Sequence, residues 1–426
     1  MPIEETSPQG RLHRSIHSRL HVLGERLQSR EGRVAILRGC LRWARIALRW
    51  TTVAYVILLV LHCLLMRHVG EKNIFFAFCL YLPPALWLLP LFMLTPLCVM
   101  VLEWRALLAV VAGVSISVFG FFGFKPSLSA QGISPPEKRS GRSLVVLTNN
   151  RGQHDNKSMK PFKNLVLPDV MAFQEAGGVS GRYLADPAYA EFKHGRDYGE
   201  FSLVSRYPIM SVEPVMAVIQ PPGKPSAGAA AGVEQTMIAA RYGIDFEGRG
   251  VVLYNVHLPS PRDTLRSYFR GAFLLGLIGI PGTPLGEKRA LYQRDWDVRT
   301  EMVRQLIARV SQEEDPVILA GDFNMPTFGW NHSLVTTVFQ DAHEKGGAGF
   351  GFTFPGVTRN PLSLGGPWMR IDYVFAGAEH WEAIASVAEL DRASQHRATA
   401  AELVLLPPSR VPSGIDKADA QTLPNR

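Results

Sequence analysis

The chain has 426 residues, 47% apolar and 19% charged, a balance that excludes a disordered tail or a collagen-like repeat and leaves room for two or three folded units. Its formal charge of +8 is unevenly placed: residues 1–125 carry 14 Lys+Arg and 6 Asp+Glu, which leaves 31 of each sign for 126–426. The larger part is therefore neutral. Cys40, Cys63, Cys79 and Cys98 all precede residue 126, so that part has no disulfide partner and no cysteine-based zinc site.

In chain order, residues 1–46 read as a basic segment, with ten arginines against four glutamates in residues 1–50. Residues 47–66, ALRWTTVAYVILLVLHCLLM, supply the ~20 apolar residues that a helix needs to cross ~30 Å of hydrocarbon. Residues 74–102 are uncharged and hold Pro83, Pro84, Pro90 and Pro96; one kinked span is the expectation. Residues 106–124 form a third uncharged stretch. The segment 47–124 thus reads as an anchor of about three helices, not a cleavable signal, because its first apolar run begins far from the start. Arginine excess beside a span marks the cytoplasmic side, and three crossings then place 126–426 outside the cytoplasm; two crossings by 74–102 would reverse that. A Ser-, Pro- and Gly-rich linker follows at 125–142.

Beyond the linker, short β-favouring runs end in polar residues: 143–150 SLVVLTNN, 170–175 VMAFQE, 251–257 VVLYNVH, 317–324 VILAGDFN, 371–375 IDYVF and 398–406 ATAAELVLL. A helix is expected over 287–310, which gives an α/β class with sheets at the centre. The folded domain should span 143–406, with 407–426 a disordered tail. The strand-end residues are Asn150, Glu175, Asn255, His257, Asp322, Asn324, Asp372 and His396. Carboxylates and amides without cysteine suit a hard cation such as Mg²⁺ or Mn²⁺, and histidines beside them can exchange protons near neutral pH. Each residue alone also fits an ordinary turn or cap. Their ordered repetition points to metal-assisted hydrolysis of a phosphate ester.

The set LTNN, AFQE, SRYPI, NVHL, GDFN, RIDYVF and SQHRATAAEL resembles the endonuclease/exonuclease/phosphatase superfamily, the DNase I-like enzymes. The resemblance covers about 143–406 and implies a four-layered α/β sandwich. By motif, it implies metal binding at Asn150 and Glu175 and phosphate contact with acid function at His257. It implies orientation of water and phosphate by Asp322 and Asn324, and an Asp372 that orients His396. Asn255 and Asn324 are the expected substrate contacts. Gln395 departs from the family's usual Asp in its last motif, which leaves one metal or two undecided and keeps open a catalytically weak binding relative. Asn149 beside Asn150 leaves a one-residue ambiguity.

Three substrate classes compete: nucleic acid, phosphorylated inositol or another small phosphate ester, and a phospholipid head group. Neutral charge over 126–426 weighs against nucleic acid, although Lys157, Lys160 and Lys163 could form a local basic groove or a solvated loop. Residues 272–280, AFLLGLIGI, read by default as core; with Arg262, Arg266 and Arg270 before them, the alternative is an insertion that touches a membrane. Trp330 and Trp368 line the pocket or belong to the core.

Overall fold

The computed structural model describes residues 27–126, 132–152, 158–219, 234–268, 270–356, 366–391 and 394–407, with 21 and 24. Lys157 and the expected tail beyond residue 407 lie outside the described residues. The chain divides into two compact units, 1–60 with 87–116, and 61–86 with 117–426.

The apolar N-terminal region forms α1 (Arg30–His68), α2 (Ile74–Leu80), α3 (Leu89–Met100) and α4 (Trp104–Ile116), the last running into a wider turn at Ser117–Phe121. Arg30–His68 and Trp104–Phe121 are long and apolar enough to cross a membrane, while Ile74–Leu80 and Pro84–Met100 form a pair bent by 99°. The bend follows from Pro83 and Pro84, which cannot continue the ladder of α2. Within the first unit, Arg49 pairs with Glu103 at 2.9 Å and Arg45 Nε donates to Val101 O. Trp50, Phe92 and Met100 stay largely exposed, an arrangement that costs free energy in water and none in hydrocarbon.

The second unit is built on two six-stranded sheets. One has the order β11-β12-β1-β2-β4-β3 and the other β5-β6-β7-β8-β10-β9. The first comprises β1 (Ser143–Asn150), β2 (Val170–Gln174), β3 (His194–Tyr198), β4 (Phe201–Ser205), β11 (Trp381–Ala388) and β12 (Thr399–Leu405). The second comprises β5 (Ile209–Ile219), β6 (Glu234–Phe246), β7 (Arg249–His257), β8 (Val317–Asp322), β9 (Phe339–Asp341) and β10 (Asp372–Gly377).

Strand pleating explains the layers. Successive side chains point to opposite faces, so Leu144, Val146, Leu253 and Val251 meet between the sheets in one core with Ile318, Ala320 and Leu403. Leu147, Met171 and Phe173 face outward onto α5 (Lys160–Val166) and the region of α6 (Ser180–Ala185). After α7 (Arg262–Tyr268) and α8 (Leu275–Ile278), α9 (Pro284–Val310) covers the other sheet with Met302, Val303, Leu306, Ile307 and Val310. Each such buried side chain contributes ~1.5–3 kcal/mol. The helix starts earlier than 287 because Thr283 caps it, accepting from Gly286 N at 3.1 Å, with Pro284 at its first position. Two short helices, α10 (Trp330–Thr336) and α11 (Ala342–Gly346), complete a four-layered α/β sandwich.

The described part of the expected linker lies against this unit: Ser134 N donates to Glu402 Oε2 at 2.8 Å, and Arg139 pairs with Asp169. Residues 272–280 are not a core helix. Ala272 and Gly276 are buried, but Leu274, Leu277, Ile278 and Ile280 are exposed.

Candidate active site

Topology alone brings the strand ends together. β1 runs parallel to β2 and β7 parallel to β8, so Asn150, Glu175, His257 and Asp322 emerge at one edge of the sandwich. β10 and β12 run the other way, which sets Asp372 opposite Asp322 and brings the chain before Thr399 beside the end of β1. Gly321 is required at the end of β8: its φ is +152°, and a Cβ there would collide with the carbonyl oxygen of Val256.

Asp322 is the hub. Fully buried, it accepts from Asn150 Nδ2 at 3.0 Å and from Asn324 N and Nδ2 at 2.9 and 3.1 Å, and lies 3.7 Å from His396 Nε2 and 3.9 Å from His257 Nε2. Burial raises its proton affinity above the usual carboxylate range, against the opposing charges of the imidazoles. Asn150 Nδ2 also donates to Glu175 Oε1 at 3.0 Å, and that oxygen lies 3.8 Å from His257 Nε2. Both Glu175 and Asn324 adopt positive φ, +49° and +48°, a strained backbone typical of functional positions.

The histidines are oriented separately. His396 Nδ1 lies 3.2 and 3.1 Å from the two oxygens of Asp372, whose backbone N–H donates to Thr353 Oγ1, and its ring packs on Phe354 at 4.8 Å. Burial would depress this imidazole, but Asp372 and Asp322 outweigh it and push it up to about 9. His257 Nδ1 lies 3.0 Å from Glu200 Oε1; burial again opposes charge, and the hydrogen bond to Glu200 with the charges of Asp322, Glu200 and Glu175 raises its proton affinity.

A divalent cation fits this donor set. Glu175 Oε1 and Asp322 Oδ2 both lie 3.0 Å from the amide nitrogen of Asn150, whose Oδ1 accepts from Gly152 N at 2.9 Å, so the three side chains gather at one place. Four carboxylates, Glu175, Glu200, Asp322 and Asp372, face two imidazoles, an excess of hard negative charge. A second acidic group, His332, Asp341 and Glu344, is structural instead. There Arg370 Nη1 donates to both Asp341 oxygens at 2.7 Å and His332 adds a contact at 3.0 Å, which together overcome burial and hold that carboxyl well below the usual range.

The expected site residues Asn150, Glu175, His257, Asp322, Asn324, Asp372 and His396 converge; Asn255 does not. The expected substrate contact at Asn255 is corrected by its burial one pleat deeper than His257. Its Nδ2 donates to Phe173 O and Ser202 O, and its Oδ1 accepts from Gln174 Nε2 at 2.6 Å, so its amide ties the two sheets together. Asn149 points to the outer layer, which assigns the first motif to Asn150. Gln395 is exposed, and Lys163 is spent on Glu191 and Ala188 O. Three contributors carry no local motif: Glu200, Arg299 and Tyr81. The last two donate to Asn324 O at 2.9 and 2.8 Å, and Trp368 Nε1 donates to Tyr81 O at 3.4 Å.

The fold and the site together are those of a two-sheet α/β sandwich that gathers acids, amides and imidazoles at the strand ends of one edge. Residues 130–396 match the model of the Endonuclease/Exonuclease/phosphatase family, and the chain belongs to that family, whose members include phosphodiesterases, nucleases and phosphatases. No curated protein matches the chain. Among solved structures it is similar to an endonuclease/exonuclease/phosphatase family protein from Bacteroides thetaiotaomicron, at 16% identity over 62% of this chain and 98% of that one, TM-score 0.40. A humanized D. rerio TDP2 aligns at 16% identity over 62% and 99%, TM-score 0.39. A 3′ phosphatase, NExo, from Neisseria bound to product DNA hairpin aligns at 13% over 61% and 98%, TM-score 0.35.

Proposed function

We propose that the chain is a divalent-metal-dependent phosphoesterase, anchored in a membrane by residues 47–124, that hydrolyses a phosphodiester or phosphomonoester by in-line attack of water. The carrying observation is the convergence of Asn150, Glu175 and Asp322 within hydrogen-bond reach of one point, flanked by two carboxylate-oriented imidazoles. Glu175 and Asn150 would hold Mg²⁺ or Mn²⁺, whose bound charge offsets that of the phosphate.

The protein groups then divide the work. Asp322, whose proton affinity burial raises, orients the attacking water and takes its proton as the new P–O bond forms. Asn324 orients Asp322, donating from its backbone N and its Nδ2, and its amide contacts substrate oxygen by exchanging one of its bonds to Asp322 and Leu258 O. His396, kept as imidazolium by Asp372, offsets charge on the phosphoryl oxygens. His257 gives its proton to the leaving oxygen as the old P–O bond breaks, and Glu200 holds its ring.

The arginine excess in residues 1–50 supports a cytoplasmic N-terminal segment and an extracytoplasmic enzyme domain if 74–102 crosses once. Reporters fused after residue 46 and at the C-terminus should then lie on opposite sides. The neutral charge of 126–426 disfavours nucleic acid as substrate. The test of the activity is turnover of bis(p-nitrophenyl) phosphate with added Mg²⁺ or Mn²⁺, followed by a panel of DNA, inositol phosphates and phospholipids. The reading as a binding relative without catalysis, raised by Gln395, requires no turnover on any of them.

A further inference from the structure

Residues 274–285 present Leu274, Leu277, Ile278, Ile280 and Leu285 to the outside, with exposures from 42% to 65%. Single exposed apolar residues are ordinary, but five within one short segment are not. Leu274, Leu277 and Ile278 sit at helical spacing, so they share one face. The opposite face is fixed. Asn73 Nδ2 donates to Gly276 O at 2.9 Å, and a Cβ at residue 276 would fall 2.6 Å from Phe75 N. Phe273 stacks on Phe78 at 4.7 Å, and Ile74, Ala77, Tyr268, Ala272 and Trp296 form one buried cluster beneath.

This backing decides the occupant. The segment is not seated on a sheet but on α2, the apolar helix that follows the end of α1 by a few residues and forms half of the bent apolar pair. In sequence the segment is bordered by exposed Arg262, Arg266, Arg270 and Lys288 and by half-buried Arg289, which donates to Gly279 O at 3.2 Å, against Asp263 and Glu287. Apolar residues with a basic rim match a bilayer surface carrying anionic lipid, where each nearby Lys or Arg contributes ~1 kcal/mol. The segment connects to the site through its backing: Tyr81, the residue after α2, packs on Trp296 of that cluster at 5.6 Å and donates to Asn324 O at 2.8 Å.

We infer that the exposed face of residues 274–285 inserts into the bilayer and holds the mouth of the catalytic edge at the lipid surface. This rests on the membrane anchoring proposed above and specifies which further surface of the protein meets lipid.

The test uses the full chain in vesicles of phosphatidylcholine and phosphatidylglycerol, with and without brominated acyl chains. Leu277→Trp and, as a second variant, Ile280→Trp add an emitter on the face; Leu165→Trp adds one at an exposed site on α5. After subtraction of the wild-type signal, emission from the two face variants should fall by about twofold or more in brominated vesicles, and that from the Leu165 variant should not change. Equal quenching at all three sites, or none at the face variants, overturns the inference. Flotation with the vesicles separates the two claims: a chain that fails to float contradicts the anchoring, whereas one that floats with an unquenched face contradicts this inference alone. Unchanged melting temperatures identify which face variant to score, and a dimer formed through the unquenched face would count against lipid as the occupant.

Discussion

The hydroxyl of Tyr81 donates a 2.8 Å hydrogen bond to the carbonyl oxygen of Asn324, so the apolar N-terminal segment directly holds the loop that carries the GDFN residues. Glu71 reinforces the link, accepting from Trp330 N at 2.6 Å and Asn331 N at 3.3 Å at the start of α10. Asn324 has φ +48°, a left-handed conformation that Asn tolerates and that the bonds from Tyr81 and Arg299 to its carbonyl oxygen hold in place. Tyr81→Phe should therefore lower kcat by about 3- to 10-fold, the scale of one net hydrogen bond. KM should stay within about twofold. A change confined to KM in steady-state kinetics would contradict a positioning role.

The paired carboxylates give His396 a folded-state proton affinity of about 9, above its ordinary 6.5. A raised value means that protonation stabilises the fold. The contribution is fully present below pH ~6.5 and is lost as pH rises through about 9. In chelator-treated protein, the melting-temperature deficit of His396→Gln relative to wild type should shrink across that window. A deficit that grows with pH would reverse the assigned sign.

Asp372 and His396 should act as a unit, because a histidine is useful only when its tautomer and ring orientation are fixed. Asp372→Asn and His396→Ala should each lower kcat by about 10²-fold or more. The double variant should be little worse than the poorer single one, since such effects are not additive. Multiplicative losses would mean that the two residues act independently despite their 3.1 Å contact.

Asp341 offers a stability test away from the chemistry. Its removal leaves Arg370 buried without its carboxylate, a loss of about 3–5 kcal/mol. Asp341→Asn should lower the denaturant midpoint strongly, while Arg370→Met with Asp341→Asn should recover part of it. A single variant as stable as wild type would show that the pair contributes nothing.

The sequence made legible what is local. A polar residue that closes an apolar run falls at a strand end, and chain direction carries Asn150, Glu175, His257 and Asp322 to the same edge. Asn255 was misread for a physical reason. It shares the inter-sheet face with His257 by the two-residue period, but one pleat deeper Gln174, Phe173 and Ser202 already enclose it. The same period separates Asn149 from Asn150 once Leu144 and Val146 are known to face the other sheet. Glu200 and Tyr81 could not be found this way, because their partners lie 57 and 243 residues distant and no local pattern reports a contact across such separations. For 272–280 the sequence left core and membrane-touching insertion both open, since composition cannot tell an apolar run that enters a core from one seated on α2.

Two carboxylate oxygens 3.0 Å from the Asn150 amide nitrogen support Glu175 and Asn150 as the residues that would bind the divalent cation required for turnover. The most direct measurement is bis(p-nitrophenyl) phosphate turnover by the full chain before chelation, after chelation and after readdition of Mg²⁺ or Mn²⁺, beside Glu175→Ala treated identically. Chelation should abolish wild-type turnover and the metal should restore it, whereas no metal should restore turnover in Glu175→Ala. Wild-type turnover undiminished by excess chelator, or full metal-stimulated turnover in Glu175→Ala, would contradict that assignment.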